Sequence, residues 1–471
     1  MLVMELRSLK KFLTIDFLVV ALAIAILVAV LGFKIFFIFS PEVGFDDAGL
    51  GYIARGIING ETPYQDLFDH KPPLTYYMLA AFFTAFEDSL QTVHLFAALF
   101  GISLLVIIFV ITKAILDWKS ALLATAFSSV FFFTNIPAME IPMTLFGLLG
   151  FYFYLQYYRQ DKPLMLFLTG IFIGISIWFK QPGILFLIAV MAHYGFVCRK
   201  NKYTSSKIFK GIALLFIGVL IVSIPLLSYV IYTSGFSNFW YAVVTFNFLF
   251  SGSASRIFVI GKLVLLLLSM FGFLIPLLII KPSKKNIMRT FFLTFISIMI
   301  MFFLINKEIF EQHLIQIIPF ISILAASTYT QSRNQIRKIC ATLSIIFILS
   351  SALLFLNTFV RAENNQQDVL NEIKLEIGSA GNVSVFSDNP IYSFLGHYKN
   401  NYRFFYIAPS IASVFDLSDF CEFSDTQDYL ILTHRKNFLG PDNLQCIKEK
   451  FTLKKKIEPV GESFVEVWMH N

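Results

Sequence analysis

Apolar runs long enough to cross a bilayer recur along this 471-residue chain, and no other feature constrains its fold as tightly. A helix needs roughly 20 consecutive apolar residues to span the hydrocarbon core. The first run, Phe17 to Phe39, follows Arg7, Lys10 and Lys11 and has no small-residue cleavage site, so it reads as a retained anchor. Others cover Thr92 to Ile115, Ala121 to Thr134, Pro142 to Tyr158, Leu164 to Phe179, Gly183 to Val197, Ile208 to Tyr232, Ile257 to Ile280, Thr290 to Ile305, His313 to Tyr329 and Cys340 to Val360. The expectation is an α-helical polytopic membrane protein with about 11 transmembrane helices, occupying residues 1–360. A composition that is 57% hydrophobic and 14% charged excludes an ordinary soluble core.

The formal net charge of +7 does not point to nucleic acid, because the basic residues fall in short groups between apolar runs and form no single patch. Their distribution instead sets orientation. Lys113 and Lys119, Arg159 and Lys162, the group from Arg199 to Lys210, Lys281 to Arg289, and Arg333 to Lys338 all lie on the same side as the N-terminus, which the bias towards cytoplasmic lysine and arginine makes cytoplasmic. Few basic residues fall on the opposite side, chiefly Arg55, Lys71, Lys180, Arg256 and Lys307. A cation that resists the bias needs a reason, and an anionic substrate is one.

From Arg361 the composition turns polar. Residues 361–471 read as a small soluble α/β domain on the external side, with helical spacing over Gln366 to Ile377 and strand-like runs at Asn382 to Phe386, Tyr429 to Leu432 and Phe464 to Val467. Cys421 and Cys446 lie in this part, where a disulfide can persist, whereas Cys198 and Cys340 sit near cytoplasmic ends of spans.

Charge is concentrated in the first external loop, residues 40–91, above all in the stretch from Gly44 to Leu74. Leu50, Ile53, Ala54, Ile57 and Ile58 recur at helical spacing and predict a short helix lying flat on the membrane, apolar side down, with Tyr52, Arg55 and Asn59 on its other face. Gly60 ends that helix, and Pro72 with Pro73 opens a second apolar one. Asp46 and Asp47 then fall at a helix N-terminus, where one acid would suffice as a cap.

In order, this loop carries Asp46-Asp47, then Gly60-Glu61-Thr62-Pro63-Tyr64, then Asp69-His70-Lys71-Pro72-Pro73. That sequence resembles the GT-C glycosyltransferases that use polyprenyl-phosphate sugars, in particular the protein O-mannosyltransferase and aminoarabinose (lipid A) transferase group. NIPAMEIPMTLF with Glu140, GISIWFKQPG with Lys180, and EQHLIQIIPF with His313 and Pro319 extend the likeness over the membrane part. The resemblance implies an inverting glycosyltransferase in a bacterial plasma membrane. It would move a sugar from a polyprenyl-phosphate donor to a lipid, glycan or protein hydroxyl outside. Asp46 would be the general base, with Asp47 beside it as a helper. Lys71, Arg55 and Lys180 would bind the donor phosphate, and Tyr52, Tyr64, His70, Glu140 and His313 would contact substrate. His70 stands where relatives often carry an acid, and no metal or other cofactor is expected. The competing reading, a transporter or flippase of lipid-linked sugars, predicts paired repeats with broken helices, and the sequence has no convincing repeat.

Overall fold

The computed structural model of the chain describes residues 15–41, 43–131, 139–249, 260–261, 264, 287–305, 311–331, 365–378, 382–387, 390–398, 402, 419–434, 440–457 and 464–471. Helices follow one another as α1 (Ile15–Phe37), α2 (Phe45–Ile58), α3 (Leu74–Phe86), α4 (Leu90–Ile115), α5 (Trp118–Phe131), α6 (Glu140–Gln160), α7 (Pro163–Phe179), α8 (Ile184–Lys200) and α9 (Ser205–Ser234). The short α10 (Phe236–Trp240), a π turn and α11 (Phe246–Leu249) come next, then α12 (Ile287–Ile305), a 3-10 turn (Glu311–Gln316) and α13 (Ile318–Gln331). The C-terminal part runs α14 (Asn365–Ile377), β1 (Val383–Ser387), α15 (Ile391–Leu395), α16 (Phe420–Ser424), β2 (Tyr429–His434), α17 (Gly440–Lys450), β3 (Phe451–Ile457) and β4 (Phe464–His470).

The apolar runs that fall within the described residues fold as helices. Among the described residues, four helices are long and apolar enough to cross a membrane: Val19–Phe37, Leu90–Ile115, Gln181–Lys200 and Ser205–Ser234. The expected spans at Ile257 to Ile280 and Cys340 to Val360 lie outside the described residues. α6 shows why length and hydropathy part company here. Its tyrosines and glutamines lower its hydropathy, yet it is buried along most of its length, so protein rather than lipid is its solvent. Phe151 of α6 stacks on Phe291 of α12 with centroids 4.3 Å apart, and Phe295 packs on Phe320 of α13 at the same distance.

The chain divides into two compact units. One consists of residues 1–38, 97–225 and 253–359 and holds the aromatic helix core just described. The other consists of 39–96, 226–252 and 360–471, so the charged loop of residues 40–91 shares a unit with the C-terminal domain.

In that second unit a four-stranded sheet has the order β1-β2-β4-β3. β1 and β2 run parallel, while β4 is antiparallel to both β2 and β3. The period-2 alternation along β2 distributes its side chains between two cores. Ile431 joins Val369, Ile373 and Ile377 of α14 on one face, and Leu430 and Leu432 join Phe420 and Ile447 on the other. The domain is thus three-layered, with helices on both faces of the sheet. Cys421 of α16 and Cys446 of α17 are joined by a disulfide. Cross-linking positions 25 residues apart restricts the unfolded chain, so Cys421→Ser is expected to destabilise this domain by roughly 2–4 kcal/mol. Thermal unfolding of the wild type with and without reductant, beside the variant, measures the loss, and an unchanged transition would remove the bond from the account.

Candidate functional site

The N-terminus of α2 carries the acid pair. Gly44 is its N-cap, no side chain caps it, and Asp46 and Asp47 occupy its first turn. Carboxylates there are favoured by the free backbone N–H groups and the aligned peptide dipoles. The two acids differ in surroundings. Asp46 Oδ1 lies 3.5 Å from Lys71 Nζ with about a quarter of its side chain exposed. Asp47 turns back over its own helix start, where a Cβ on Gly44 would sit 3.2 Å from its Oδ2.

Lys71 is held from two sides, since its Nζ is also 3.5 Å from Asp69 Oδ2. Asp69 is buried, and burial alone would push its carboxyl up. The Lys71 ammonium and His70 outweigh that and hold it well below the usual carboxylate range. Asp69 therefore stays charged and anchors Lys71. Asp69 Oδ1 also accepts from the His70 backbone N–H at 2.6 Å and faces His70 Nδ1 at 3.1 Å.

The turn before this triplet is built to deliver it. Gly60, at φ +87°, ends α2, and the chain reverses so that Tyr64 N–H donates to the Leu67 carbonyl at 2.7 Å. Tyr64 is fully buried, and its hydroxyl donates to the Lys71 backbone carbonyl at 2.7 Å. Burial, with Asp69 nearby, raises its phenol well above the ordinary value, so it acts as a neutral donor. Segment 236–249 backs the loop. Phe239 meets Tyr64 edge-on at 5.5 Å, Phe246 meets Phe68 at 5.0 Å, and Asn247 Nδ2 donates to the His70 carbonyl at 2.8 Å.

Several expectations for this loop need correction. α2 does not present an apolar underside to lipid, because residues Ala48 to Gly56 are all buried, covered by α3 and α15. Tyr52 is consequently interior, and Tyr64 serves the backbone of Lys71. Arg55 does not stand free to meet a phosphate. Its Nε and Nη2 donate to both oxygens of Asp88 at 2.5 and 3.0 Å, its Nη1 donates to the Phe394 carbonyl at 2.7 Å, and its guanidinium lies 4.7 Å from the centre of the Phe394 ring. Sequence spacing could not reveal partners this distant, although an acid just past the end of α3 was a visible signal for Asp88.

The other unit holds a second charged pair. Glu140 opens α6, Lys180 ends α7, and Lys180 Nζ donates to Glu140 Oε1 with both residues buried. Glu140 Oε2 has no hydrogen-bond partner among the described residues. His313 belongs to the 3-10 turn Glu311–Gln316, and its side chain lies outside the described residues, as do Arg256 and Lys307 entirely. The sequence reading missed Lys34, a buried lysine in the last turn of α1, packed so that a Cβ on Gly101 would be 3.1 Å from its Nζ. Its signal was a lone lysine inside an apolar run.

With this geometry in place, comparisons with known proteins add the following. The family described as dolichyl-phosphate-mannose-protein mannosyltransferase matches residues 70–229. ArnT from Cupriavidus metallidurans in the apo state superposes with a TM-score of 0.68 at 12% identity, covering 95% of this chain and 97% of that one. The same protein bound to undecaprenyl phosphate gives 0.65 at 11% identity, with 96% and 97% covered. The Archaeoglobus fulgidus oligosaccharyltransferase in complex with zinc and sulfate gives 0.54 at 11% identity, with 94% and 73% covered. No curated protein sequence matches. At these identities the structural likeness speaks for the fold.

Proposed function

We propose that this chain, a GT-C membrane glycosyltransferase of the O-mannosyltransferase and aminoarabinose transferase group that uses lipid-linked sugar donors, inverts the anomeric carbon as it passes a sugar from polyprenyl phosphate to an extracytoplasmic hydroxyl. The observation that carries this reading is Asp46, partly open at a helix N-terminus, beside a lysine 3.5 Å away. A base and a cation so placed serve the two demands of the reaction.

The acceptor oxygen attacks the anomeric carbon on the face opposite the phosphate. Its proton passes to the Asp46 carboxylate, the bond from the anomeric carbon to the phosphate oxygen breaks, and the electron pair leaves with polyprenyl phosphate. Lys71, already oriented by Asp69, takes up the developing phosphate charge without reorganising. Asp47 is assigned a supporting part at the helix start. His70, with about a fifth of its side chain exposed beside Asp69, is assigned to substrate contact. In the other unit Lys180 is assigned to anion binding with Glu140 as its counter-ion, and His313 to substrate contact. The external placement of the loop and of the C-terminal domain follows the lysine and arginine bias, and the Cys421–Cys446 disulfide supports it.

The test uses purified protein in liposomes supplied with undecaprenyl-phosphate-linked mannose or aminoarabinose and cell-envelope fractions as acceptor. Glycosylated product and free undecaprenyl phosphate are expected together. Movement of lipid-linked sugar across the bilayer without product would establish the transporter reading instead. Because side-chain cations are proposed to stabilise the leaving phosphate, transfer is expected to stay within about twofold of its starting rate after EDTA treatment. A loss of about tenfold or more that a divalent metal restores would overturn metal independence.

A further inference from the structure

The C-terminal domain grips α2 along its length. At the N-terminal end, three residues before Asp46, Val43 exchanges two backbone hydrogen bonds with the Gln366 side-chain amide of α14, each 3.3 Å long. In the middle, Pro390 lies 3.5 Å from where a Cβ on Gly49 would be, and the Phe394 ring approaches a Cβ position on Gly51 at 2.5 Å. Only glycine at position 51 leaves room for that ring. At the C-terminal end Arg55 binds the Phe394 carbonyl while Asp88, just past α3, fixes its other edge. Phe394 also stacks on Phe83 of α3 with centroids 6.4 Å apart and planes 10° from parallel.

A bidentate carboxylate, a carbonyl and an aromatic face use up the planar guanidinium on every side, a combination that lysine cannot reproduce. The contacts to Phe394 and Gln366 span over 300 residues of sequence, so the loop alone could not provide them, whereas Asp88, 33 residues from Arg55, is the loop's own tie on the same guanidinium. A helix held at both ends keeps its first-turn carboxylate at a fixed distance from Lys71. Misplacement by about 1 Å of a reacting group costs on the order of 100-fold in rate.

We infer that the C-terminal α/β domain is the positioning element for Asp46, and that Arg55, Asp88 and Gln366 are positioning residues acting through the placement of α2. The inference rests on Asp46 being the base. It is tested in the full-length protein with Asp88→Asn, Gln366→Ala and Arg55→Met, and with Asp46→Asn in parallel. On whichever lipid-linked donor is turned over, kcat is expected to fall roughly tenfold to 100-fold in each positioning variant while donor KM stays within about threefold. The Arg55→Met/Asp88→Asn double variant is expected to be no slower than the worse single one, because both remove the same tie. Binding of undecaprenyl phosphate should be unchanged. If instead Arg55→Met weakened that binding tenfold and Asp88→Asn behaved as wild type, Arg55 would be a phosphate ligand and the inference would fall. Amide exchange in α2 separates the two readings: it should rise about tenfold in Asp88→Asn whatever Asp46 does. Unchanged exchange sinks the grip, whereas raised exchange with an active Asp46→Asn moves the base and leaves the grip standing. If Arg55→Met does not accumulate, the other two variants carry the same tests.

Discussion

Asp46→Asn is expected to lower kcat by about 100-fold to 10,000-fold, the range over which a positioned general base contributes, with donor KM changed little. Asparagine keeps the shape of the side chain but removes its charge, and with it both the proposed capacity to take the acceptor proton and the ion pair with Lys71. Lys71 remains anchored through Asp69 in the variant, so the cation is not lost with the base. Asp47→Asn is the internal comparison. Its carboxylate lies over Gly44, where a Cβ would sit 3.2 Å from Oδ2, and its loss is expected to cost less than about tenfold. Initial rates against donor concentration for the two variants decide the matter. A fast Asp46→Asn beside a dead Asp47→Asn would transfer the role to the neighbouring residue.

The loop was legible because its information is local. Acid pair, turn and Lys-Pro-Pro are contiguous in sequence, and the helix start that presents Asp46 follows from spacing alone. The burial of that same helix was not legible, because what covers it arrives from Gln366, Pro390 and Phe394. An apolar stripe predicts that something apolar will cover it, and whether lipid or protein does so is a tertiary fact. The partners of Arg55 were hidden for the same reason. A lone basic residue in the loop invites an anion, and within the described residues its guanidinium is paired with Asp88.

The C-terminal sheet repeats the lesson. β1, β2 and β4 coincide with strand-like runs in the sequence, whereas β3, which carries Lys454, Lys455 and Lys456, is not among those runs. Its place at the end of the order β1-β2-β4-β3 explains the lysines, since charged side chains on an edge strand discourage pairing with another chain. Only Phe451 and Ile457, at its two ends, are buried.

The Glu140–Lys180 pair leads to the second large effect, and stability and activity are expected to separate there. Lys180→Met leaves the Glu140 carboxylate buried without its cation, which is expected to cost about 3–5 kcal/mol of stability. Thermal unfolding in detergent should register this as a large fall in midpoint. The double variant Glu140→Gln/Lys180→Met removes both charges and should recover most of the loss, because two apolar or neutral groups of similar size replace a buried ion pair at little cost. A pair kept only for folding would give a double variant that is both stable and active. Glu140 Oε2, however, is buried with no hydrogen-bond partner among the described residues, and a half-satisfied charge is a poor way to stabilise a core. We therefore expect the double variant to be stable but at least about 100-fold slower, the scale on which loss of a preorganised charge slows a reaction. Recovery of both stability and rate would reduce Lys180 to a structural residue, and recovery of stability alone would leave it assigned to substrate.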